Sequence, residues 1–376
     1  MSIIKRFLEE NIINSLNKGK AVIIIGARQV GKTTLVNSIV DTLNIKTLNL
    51  SGDEPFIREH LNQISLSELK AMIGNNKLLV FDEAQRITNV GLTLKLIVDN
   101  IKDVQVIATG SSSFELNEKI KEPLTGRKYE YKLYPFSFAE MVNESSILDE
   151  KNKLNQRLIF GYYPEIVVKS NEQIELLNNL AGSYLYKDIL NFDLIRNTSL
   201  LDKLLRALAL QVGSEVSYHE IAQLTGSDNK TIEKYIDLLE KSYVLFRLPA
   251  FAGNLRNEIK KGKKIYFYDN GIRNAIIGNY NNIDNRSDIG QLWENFIISE
   301  RIKYLNNNKI YARSYFWRTV QQQEIDYIEE LNQKISAVEF KYNKHTKVKF
   351  PVTFSKNYSV EKQSVITPHN IEEFCL

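Results

Sequence analysis

Residues 26–33 have the sequence GARQVGKT, in which glycines occupy the first and sixth positions and a lysine and a threonine occupy the last two. Glycines at this spacing let successive backbone N–H groups curl around phosphate oxygens, the lysine reaches the terminal phosphates, and the threonine hydroxyl ligates Mg²⁺. The segment therefore predicts a loop that binds ATP, with Thr33 as a ligand of Mg²⁺. The residues expected to contact the nucleotide are Gly26, Ala27, Arg28, Gln29, Val30, Gly31, Lys32, Thr33 and Thr34.

A second chemical signal is the acidic pair Asp82 and Glu83, which follows the apolar residues 78–81. We expect Asp82 to hold the Mg²⁺ through its water shell and Glu83 to polarise the water molecule that attacks the γ-phosphate. An acidic pair at the end of a strand is, by itself, often only a solvated turn. The phosphate-binding pattern upstream favours the catalytic interpretation, in which the chain hydrolyses ATP.

Two further positions could take part in hydrolysis. Residues 109–113 read TGSSS after an apolar segment, and a hydroxyl there could sense the γ-phosphate. Ser111 is the first choice and Thr109 the second, and a turn without a catalytic role is the alternative. Arg127 precedes an alternating segment and could neutralise charge on the transferred phosphoryl group, from within the chain or across a subunit interface. The alternative is a surface arginine that begins a strand.

These residues require a sheet that brings the ends of several strands together. Strands separated by segments of helical periodicity, such as 91–100, predict a parallel sheet with crossover helices. A helix beginning at residue 33 would direct the partial positive charge of its N-terminus at the phosphates. The predicted strands are residues 21–25, 45–50, 77–83 and 104–109, with an edge strand at 128–133.

Several short segments together resemble the prokaryotic AAA-type ATPases that carry a DUF4143 C-terminal region. The segments are GARQVGKTTL at 26–35, FDEAQ at 81–85, TGSSS at 109–113, LTGR at 124–127 and YPFSFAE at 134–140. Residues 161–165 and 184–189 also look like the linking segment of that family. The resemblance covers nearly the whole chain, and it implies architecture and ATPase chemistry more than a biological role.

Residues 217–242 have the outline of a helix-turn-helix, with a short helix ended by Gly226 and a second amphipathic helix from Lys230. Strand-like segments at 243–248 and 263–268 flank a lysine-rich stretch, as the wing of a winged helix would. If this region reads DNA, the second helix enters the major groove and the wing contacts phosphate. The alternatives are a protein interface and a solvated edge. The residues expected at nucleic acid are Ser227, Asn229, Lys230, Lys234, Arg256, Lys260, Lys261 and Lys264.

The C-terminal region places acidic residues and a lysine on strand-like segments. Alternation puts Glu339 and Lys341 on one face, and a hairpin would bring Asp326 near them. Asp326 and Glu339 would hold Mg²⁺, Lys341 would help to activate water, and Glu294 could complete the site from a helix. This pattern resembles the restriction-endonuclease-like fold. The alternatives are a nucleic-acid clamp without cleavage and a solvated ion pair.

Composition limits the classes of protein that remain. The 376 residues suggest two or three domains by length, and 49 basic against 45 acidic side chains leave a formal charge of +4, which is too mild to imply nucleic-acid binding. A single cysteine, Cys375, and four dispersed histidines exclude a disulfide framework and a Cys/His zinc site. No apolar run approaches ~20 residues. We therefore expect a cytoplasmic protein without a membrane segment.

The complete prediction is an α/β protein with four parts: an AAA-type P-loop NTPase domain with a parallel sheet at 1–145, a helical linker at 146–205, a winged helix-turn-helix at 206–268 and a restriction-endonuclease-like α/β domain at 269–376. We expect a homo-oligomer, either a ring such as a hexamer or a dimer, that couples ATP hydrolysis to movement or remodelling of nucleic acid, DNA more than RNA. One alternative is an ATP-regulated, metal-dependent endonuclease. The other is a signal-transducing ATPase switch that binds a protein partner.

Overall fold

The computed structural model describes residues 3–111, 116, 119–120, 122–184, 197–252 and 262–376. The chain forms two compact units, one of Met1–Pro135 with Lys241–Tyr243 and one of Phe136–Glu240 with Val244–Leu376. The first unit ends before the boundary predicted at residue 145. The backbone explains the difference, because Phe136 N donates to Tyr162 O at 3.0 Å and so begins the second unit.

The first unit is built on a five-stranded parallel sheet in the order β2-β3-β4-β1-β5. All five residues of β1 and four of the five residues of β3 are buried. Continuous apolar strands are typical of a parallel sheet covered on both faces. The predicted parallel sheet is confirmed, including β5 at an edge. The strands are β1 Ala21–Ile25, β2 Thr47–Ser51, β3 Leu78–Asp82, β4 Gln105–Gly110 and β5 Lys128–Lys132.

The helices of the first unit cross over between these strands. The helix after β1 buries Leu35, Val36 and Ile39 on one face, which is the spacing of an amphipathic helix packed on a sheet. It ends at Asn44, which adopts the left-handed conformation common after helices. The helices are α1 Phe7–Ile13, α2 Lys32–Leu43, α3 Pro55–Leu61, α4 Leu66–Ile73 and α5 Val90–Asn100.

The register of the sheet brings the segments that follow β1, β3 and β4 together at the carboxyl ends of these strands. Ile25 pairs with Gly110, and Gly26 N donates to Gly110 O at 3.2 Å, so the loop after β1 lies beside the segment after β4. β3 pairs with the other side of β4, which brings Glu83 to the same edge. Loops at the carboxyl ends of adjacent parallel strands are the usual place for ligands in open α/β sheets.

The second unit begins with short helices in the described part of the segment for which a helical linker was predicted. Ser137 and Glu140 form a buried capping box at the first of these helices. The helices are α6 Phe138–Glu144, α7 Ile147–Asn152, α8 Leu154–Phe160, α9 Pro164–Val168 and α10 Gln173–Asn179, followed by a π-turn at Leu180–Tyr184.

Three helices and an antiparallel strand pair follow. Gly226 ends α12 in the left-handed conformation, and the Asp228 carboxylate accepts hydrogen bonds from the backbone N–H groups of Lys230 and Thr231, each at 3.0 Å. An isolated antiparallel bridge joins Glu215 to Lys264 beside the pair. The order of elements is the one predicted. These elements are α11 Thr198–Leu210, α12 Tyr218–Thr225, α13 Asn229–Lys241, β6 Leu245–Pro249 and β7 Lys263–Phe267.

The C-terminal sheet has the order β11-β10-β9-β8, with β9 antiparallel to both β8 and β10 and with β11 parallel to β10. β11 was not predicted from the sequence, because four of its seven residues are polar. The remaining elements are α14 Asn270–Ile277, α15 Ile289–Asn307, β8 Arg313–Arg318, β9 Glu324–Leu331, β10 Lys334–Phe340, α16 Val352–Asn357, β11 Val360–Ile366 and α17 Glu372–Cys375.

An aromatic and aliphatic core packs on one face of this sheet. It brings together residues of β8, β9 and β10 with a phenylalanine of α16, and so fixes the position of the strands that carry the acidic residues. Its buried members are Phe251, Tyr315, Trp317, Ile325, Ile328, Ala337 and Phe354. Across the described part of the chain, no helix is both long and apolar enough to cross a membrane.

Candidate functional site

The loop between β1 and α2 has a backbone that glycine makes possible. Gly31 has φ +91° at the residue before α2, a conformation that costs glycine little. A Cβ atom on Gly26 would lie 2.0 Å from Leu133 O, so no larger residue fits there without moving the chain. Gln29 also has a positive φ of 57°. The glycine spacing read in the sequence therefore corresponds to a compact loop at the N-terminus of α2.

Lys32 folds back over this loop. Its Nζ donates to Gly26 O at 3.0 Å and to Ala27 O at 2.9 Å, and the side chain is buried. The ammonium is thus held inside the loop, at the N-terminal end of α2, where a phosphate would also meet the helix dipole.

Thr33 and Asp82 are in direct contact. Thr33 Oγ1 donates to Asp82 Oδ2 at 3.1 Å, and Thr109 Oγ1 donates to the other carboxylate oxygen, Oδ1. The Glu83 N–H in turn donates to Thr109 Oγ1 at 3.2 Å. A hydroxyl and a carboxylate at hydrogen-bonding distance are hard oxygen donors of the kind that Mg²⁺ accepts, so these residues fit the metal. Thr109, the second choice for a phosphate sensor, thus lies within hydrogen-bonding distance of Asp82.

Glu83 follows β3 in the left-handed conformation, with φ 47° and ψ 44°. Such a conformation is unfavourable for a residue with a Cβ, and residues strained in this way cluster at active sites and ligand clamps. Gly52 accommodates it, because a Cβ on Gly52 would lie 2.3 Å from Glu83 O. The backbone therefore directs the Glu83 side chain differently from a residue that continues the strand.

Gln85 joins Glu83 to Ser111, a contact that was not predicted from the sequence. Its Nε2 donates to Glu83 Oε2 and, at 3.0 Å, to Ser111 Oγ. Ser111 is buried at the end of β4, on the edge where it was predicted. The one sequence feature that could have indicated Gln85 is its position two residues after Glu83. That spacing alone does not predict its hydrogen bond to Ser111. Ser112 and Ser113 lie outside the described residues.

Arg127 lies at the amino ends of the parallel strands, whereas the loop lies at their carboxyl ends. Its carbonyl accepts from Ala21 N at 2.9 Å, and Ala21 begins β1, whereas the loop follows Ile25. A five-residue strand spans about 13 Å. The guanidinium pairs with Asp99 at 2.7 Å, and this hydrogen bond holds the pKa of the Asp99 carboxyl below its usual value. Within its own chain Arg127 is therefore distant from the loop, and action across a subunit interface stays a prediction.

Arg6 is a contributor that the sequence did not reveal. It precedes α1, is 7% exposed, and donates to Val30 O at 2.8 Å and to Tyr134 O at 2.6 Å. One of these carbonyls belongs to the loop and the other to the segment after β5. No local motif marks this residue, because both partners are distant in sequence. Arg6 therefore braces the loop from outside the recognised pattern.

In the second unit, three of the four predicted acidic-site residues converge. Lys341 Nζ lies 3.1 Å from Asp326 Oδ2 and 2.8 Å from Glu339 Oε2, and the Phe340 N–H donates to Asp326 Oδ2 at 2.8 Å. Burial and the neighbouring Asp326 carboxylate raise the pKa of Glu339 to about 7. Burial works against the Lys341 ammonium, but the two carboxylates outweigh it and raise its pKa.

The fourth predicted residue, Glu294, has different partners. Its Oε1 accepts from Tyr266 Oη at 2.6 Å and from Lys264 Nζ at 3.1 Å, and Lys264 also pairs with Glu324 at 2.6 Å. Burial raises the pKa of Glu294, although Lys264 opposes that shift, and the Asp326 carboxylate adds to it. Tyr266, Lys264 and Glu324 were not assigned to this cluster from the sequence.

Two predicted roles change as a result. The Lys264 side chain is 2% exposed and paired with two carboxylates, so the prediction that it contacts nucleic-acid phosphate is wrong. Within the described residues no three acidic, histidine or cysteine side chains form a group that could hold a metal ion. The reason is the arrangement of charge, because the ammonium groups of Lys264 and Lys341 each lie between two carboxylates. The sequence had instead predicted a Mg²⁺ ion bound by Asp326, Glu339 and Glu294.

The predicted nucleic-acid residues on α13 are accessible. Asn229, Lys230 and Lys234 are exposed, and Ser227 is half-buried in the turn before them. Acidic residues of the same helix share the surface, and Asp237 pairs with Arg247 at 2.6 Å. Arg256, Lys260 and Lys261, predicted for the wing, lie outside the described residues.

Solved structures with limited similarity to this chain include a branch migration motor and a helicase. The Thermotoga maritima RuvB Holliday junction branch migration motor is 15% identical, with a TM-score of 0.36, over 65% of this chain and 90% of that one. The Pif1 helicase from Candida albicans is 16% identical, with a TM-score of 0.27, over 42% of this chain and 48% of that one. Scores this low do not establish a shared fold.

Relatives in sequence come from bacteria and archaea. The Mycobacterium tuberculosis protein Rv2008c is 25% identical over 353 residues, which are 91% of this chain and 74% of the relative. A Haemophilus influenzae protein is 26% identical over 68% of this chain and 69% of its own length. The Methanocaldococcus jannaschii protein MJ1544 is 27% identical over 66% of this chain and 60% of its own length.

Three family models match consecutive parts of the chain. An AAA domain matches residues 18–142, a domain of unknown function (DUF8612) matches 151–283, and a domain of unknown function (DUF4143) matches 289–373. The first match contains the loop, Asp82 and Glu83, and the last contains Asp326, Glu339 and Lys341. The first and last of these matches confirm the resemblance read from short motifs, to AAA-type ATPases that carry a DUF4143 C-terminal region.

Proposed function

We propose that this chain hydrolyses ATP at the loop of residues 26–33 and uses the energy to move or remodel bound nucleic acid. The observation that carries the first half is the contact between Thr33 and Asp82, at 3.1 Å, beside the buried Lys32. Three segments from separate strand ends meet there, and each supplies a residue type that phosphoryl transfer requires.

Each residue has a definite role in this proposal. Lys32 and the N-terminus of α2 bind the phosphates and neutralise their charge, as the loop geometry favours. Thr33 and Asp82 hold the Mg²⁺, which supplies charge neutralisation on the phosphate oxygens when bound. Glu83 accepts a proton from, or polarises, the water molecule that attacks the γ-phosphate, and Ser111 donates a hydrogen bond to a γ-phosphate oxygen.

The second half of the proposal assigns a winged helix to α11, α12, α13, β6 and β7. The order of these elements, the Asp228 cap at the start of α13 and the bridge between Glu215 and Lys264 support this assignment. In the proposal α13 enters the major groove, with Asn229, Lys230 and Lys234 at the DNA. The contribution of phosphate contacts makes the binding dependent on salt.

An oligomer is part of the proposal because of the position of Arg127. The loop of its own chain lies at the carboxyl ends of the strands, and Arg127 lies at their amino ends. If Arg127 reaches a phosphoryl group, it must therefore do so at the loop of a second copy. A ring, such as a hexamer, or a dimer would satisfy this requirement. The pairing with Asp99 would then hold the guanidinium in place until a neighbouring subunit binds.

A second candidate function is an ATP-regulated endonuclease of restriction-endonuclease-like fold. The observation that favours it is the convergence of Asp326, Glu339 and Lys341 on adjacent strands. Lys341 lies between the two carboxylates in the structure, so a divalent cation would have to compete with its ammonium for them. The third candidate is a protein-binding switch, in which the acidic residues serve only the stability of the second unit.

The test is ATP turnover with and without single-stranded, duplex and branched DNA and RNA, at two salt concentrations. The proposal expects nucleic acid to stimulate turnover and expects the paired variant Lys230→Ala/Lys234→Ala to lose stimulation while basal turnover persists. Turnover that no nucleic acid stimulates, with no binding in a gel-shift assay, contradicts the proposal and favours the switch. Metal-dependent nicking that Asp326→Ala abolishes would establish the endonuclease.

A further inference from the structure

Gln85 differs from an ordinary buried glutamine in how its amide is used. The side chain is 3% exposed, and both hydrogen bonds of its Nε2 go to groups proposed for hydrolysis, the Glu83 carboxylate and the Ser111 hydroxyl. Its Oε1 is buried and finds no hydrogen-bond donor among the described residues. Burying an acceptor without a partner is unfavourable, so such a group in a folded protein calls for a structural or functional reason.

Gln105 provides the contrast, because it is the first residue of β4, the strand that Ser111 follows. Its Oε1 accepts from Asn17 N at 2.7 Å, and its Nε2 donates to Lys20 O and Val106 O, each at 2.9 Å. This amide is fully satisfied by backbone groups, as expected of a structural residue. Gln85 leaves its acceptor unpaired and bonds two side chains instead.

The backbone around Gln85 is held independently of that amide. Arg86 N donates to Glu83 O at 3.0 Å within the short 3-10 turn Ala84–Arg86, and Lys119 Nζ donates to Gln85 O. The Gln85 side chain therefore starts from a fixed point, and its length spans the distance from the Glu83 carboxylate to the Ser111 hydroxyl.

We infer that Gln85 is a positioning residue for ATP hydrolysis, which ties the water-polarising Glu83 to the γ-phosphate-sensing Ser111. When Ser111 engages the γ-phosphate, the shared amide aligns the Glu83 carboxylate with the attacking water. This inference rests on the proposed ATP hydrolysis. It assigns Gln85 no contact with the substrate, so its loss acts on the rate of the chemical step and leaves nucleotide binding in place.

The test compares Gln85→Met with Gln105→Met in the full chain. Methionine keeps the volume of glutamine and removes its hydrogen bonds. For Gln85→Met we expect kcat to fall roughly 10- to 100-fold, with the KM for ATP and the Kd for a fluorescent ATP analogue changed less than about threefold, because misplacing a catalytic group by ~1 Å costs up to about 100-fold. For Gln105→Met we expect a lower melting temperature and an unchanged kcat.

A double-mutant cycle then separates positioning from packing. If Gln85 acts through the pair, the losses caused by Gln85→Met and Ser111→Ala are not additive, and the double variant is about as slow as the slower single variant. A folded Gln85→Met protein with the wild-type kcat overturns the inference, as do fully additive losses. If wild-type turnover does not exceed that of Lys32→Ala, the proposed ATP hydrolysis itself is wrong, which is a different result.

Discussion

Thr33 and Asp82 are 49 residues apart in sequence and share a hydrogen bond of 3.1 Å between Oγ1 and Oδ2. The first residue belongs to the start of α2 and the second to the end of β3. Their contact exists because β4 lies between β1 and β3 in the sheet, which brings the carboxyl ends of all three strands to one edge. The proposed metal site therefore depends on strand order as much as on the residues themselves.

Asp82→Asn should remove most of the Mg²⁺-dependent hydrolysis of ATP. The substitution removes the negative charge that we assign to the metal and leaves an amide whose oxygen can still accept from one of the two threonine hydroxyls, while its NH₂ group can donate to the other. We expect turnover to fall by about 10²–10³ at fixed Mg²⁺, the range observed when one electrostatic contribution to a reaction is lost. Titration of turnover with Mg²⁺ measures it. Asp103→Asn, an exposed residue at the amino edge of the sheet, is the matched control, and equal effects of the two changes would contradict the assignment.

Arg6→Ala should weaken the nucleotide loop. The change leaves Val30 O and Tyr134 O without their arginine donors, and an unsatisfied buried carbonyl costs about 1–3 kcal/mol. We expect a lower melting temperature, a raised KM for ATP, and partial recovery of the melting temperature at saturating nucleotide, because binding stabilises the folded state. Lys5→Ala, at an exposed neighbouring position, is the control. Identical melting curves for wild type and Arg6→Ala would rule out this bracing role.

Lys264→Met should destabilise the second unit and leave nucleic-acid affinity unchanged. The ammonium is buried between Glu294 and Glu324, and removing one partner of a buried ion pair costs about 3–5 kcal/mol. Urea denaturation monitors the stability, and fluorescence anisotropy with labelled DNA monitors the affinity. The exposed pair Lys230→Ala/Lys234→Ala should give the converse result. Normal stability combined with weakened DNA binding in Lys264→Met would restore the phosphate contact predicted from the sequence.

Glu339 should make the stability of the second unit fall as the pH rises from about 4.5 to about 7. Its pKa is raised from the ordinary 4.5 to about 7 in the folded chain, so between these values the folded state retains a proton that the unfolded state has lost. The stabilisation from this proton is fully present below about pH 4.5 and disappears above about pH 7. We expect a loss of roughly 1–3 kcal/mol, and Glu339→Gln should remove that part of the slope. Equal slopes for wild type and Glu339→Gln in urea denaturation would be inconsistent with the buried pair.

The sequence predicts those features that neighbouring residues determine. The strands β1, β3 and β4 are apolar enough to be located from their composition, and the loop between β1 and α2 is a local pattern of glycine, lysine and threonine. The contact of Asp326 with Lys341 could also be predicted from the sequence. β9 and β10 form a hairpin, and the alternation of side chains along each strand sets which residues share a face.

The features that the sequence did not reveal depend on contacts between distant residues. Arg6 meets Tyr134 across 128 positions, and no periodicity connects them. Lys264 looked like a wing lysine because its neighbours are basic, yet Glu294 from α15 and Glu324 from β9 hold it in the interior. The position of Arg127 follows from the pairing of β5 with β1, which depends on sheet order and not on the local sequence.

The central claim is that the loop of residues 26–33 binds ATP and that Glu83 supports its hydrolysis. The most direct measurement is ATP turnover, together with ATP affinity, for the wild type, Lys32→Ala and Glu83→Gln. We predict that Lys32→Ala loses both affinity and turnover, and that Glu83→Gln binds ATP with about the wild-type affinity while its turnover falls by a factor of about 10² or more. Wild-type turnover in Glu83→Gln, or ATP binding unaffected by Lys32→Ala, would contradict the account.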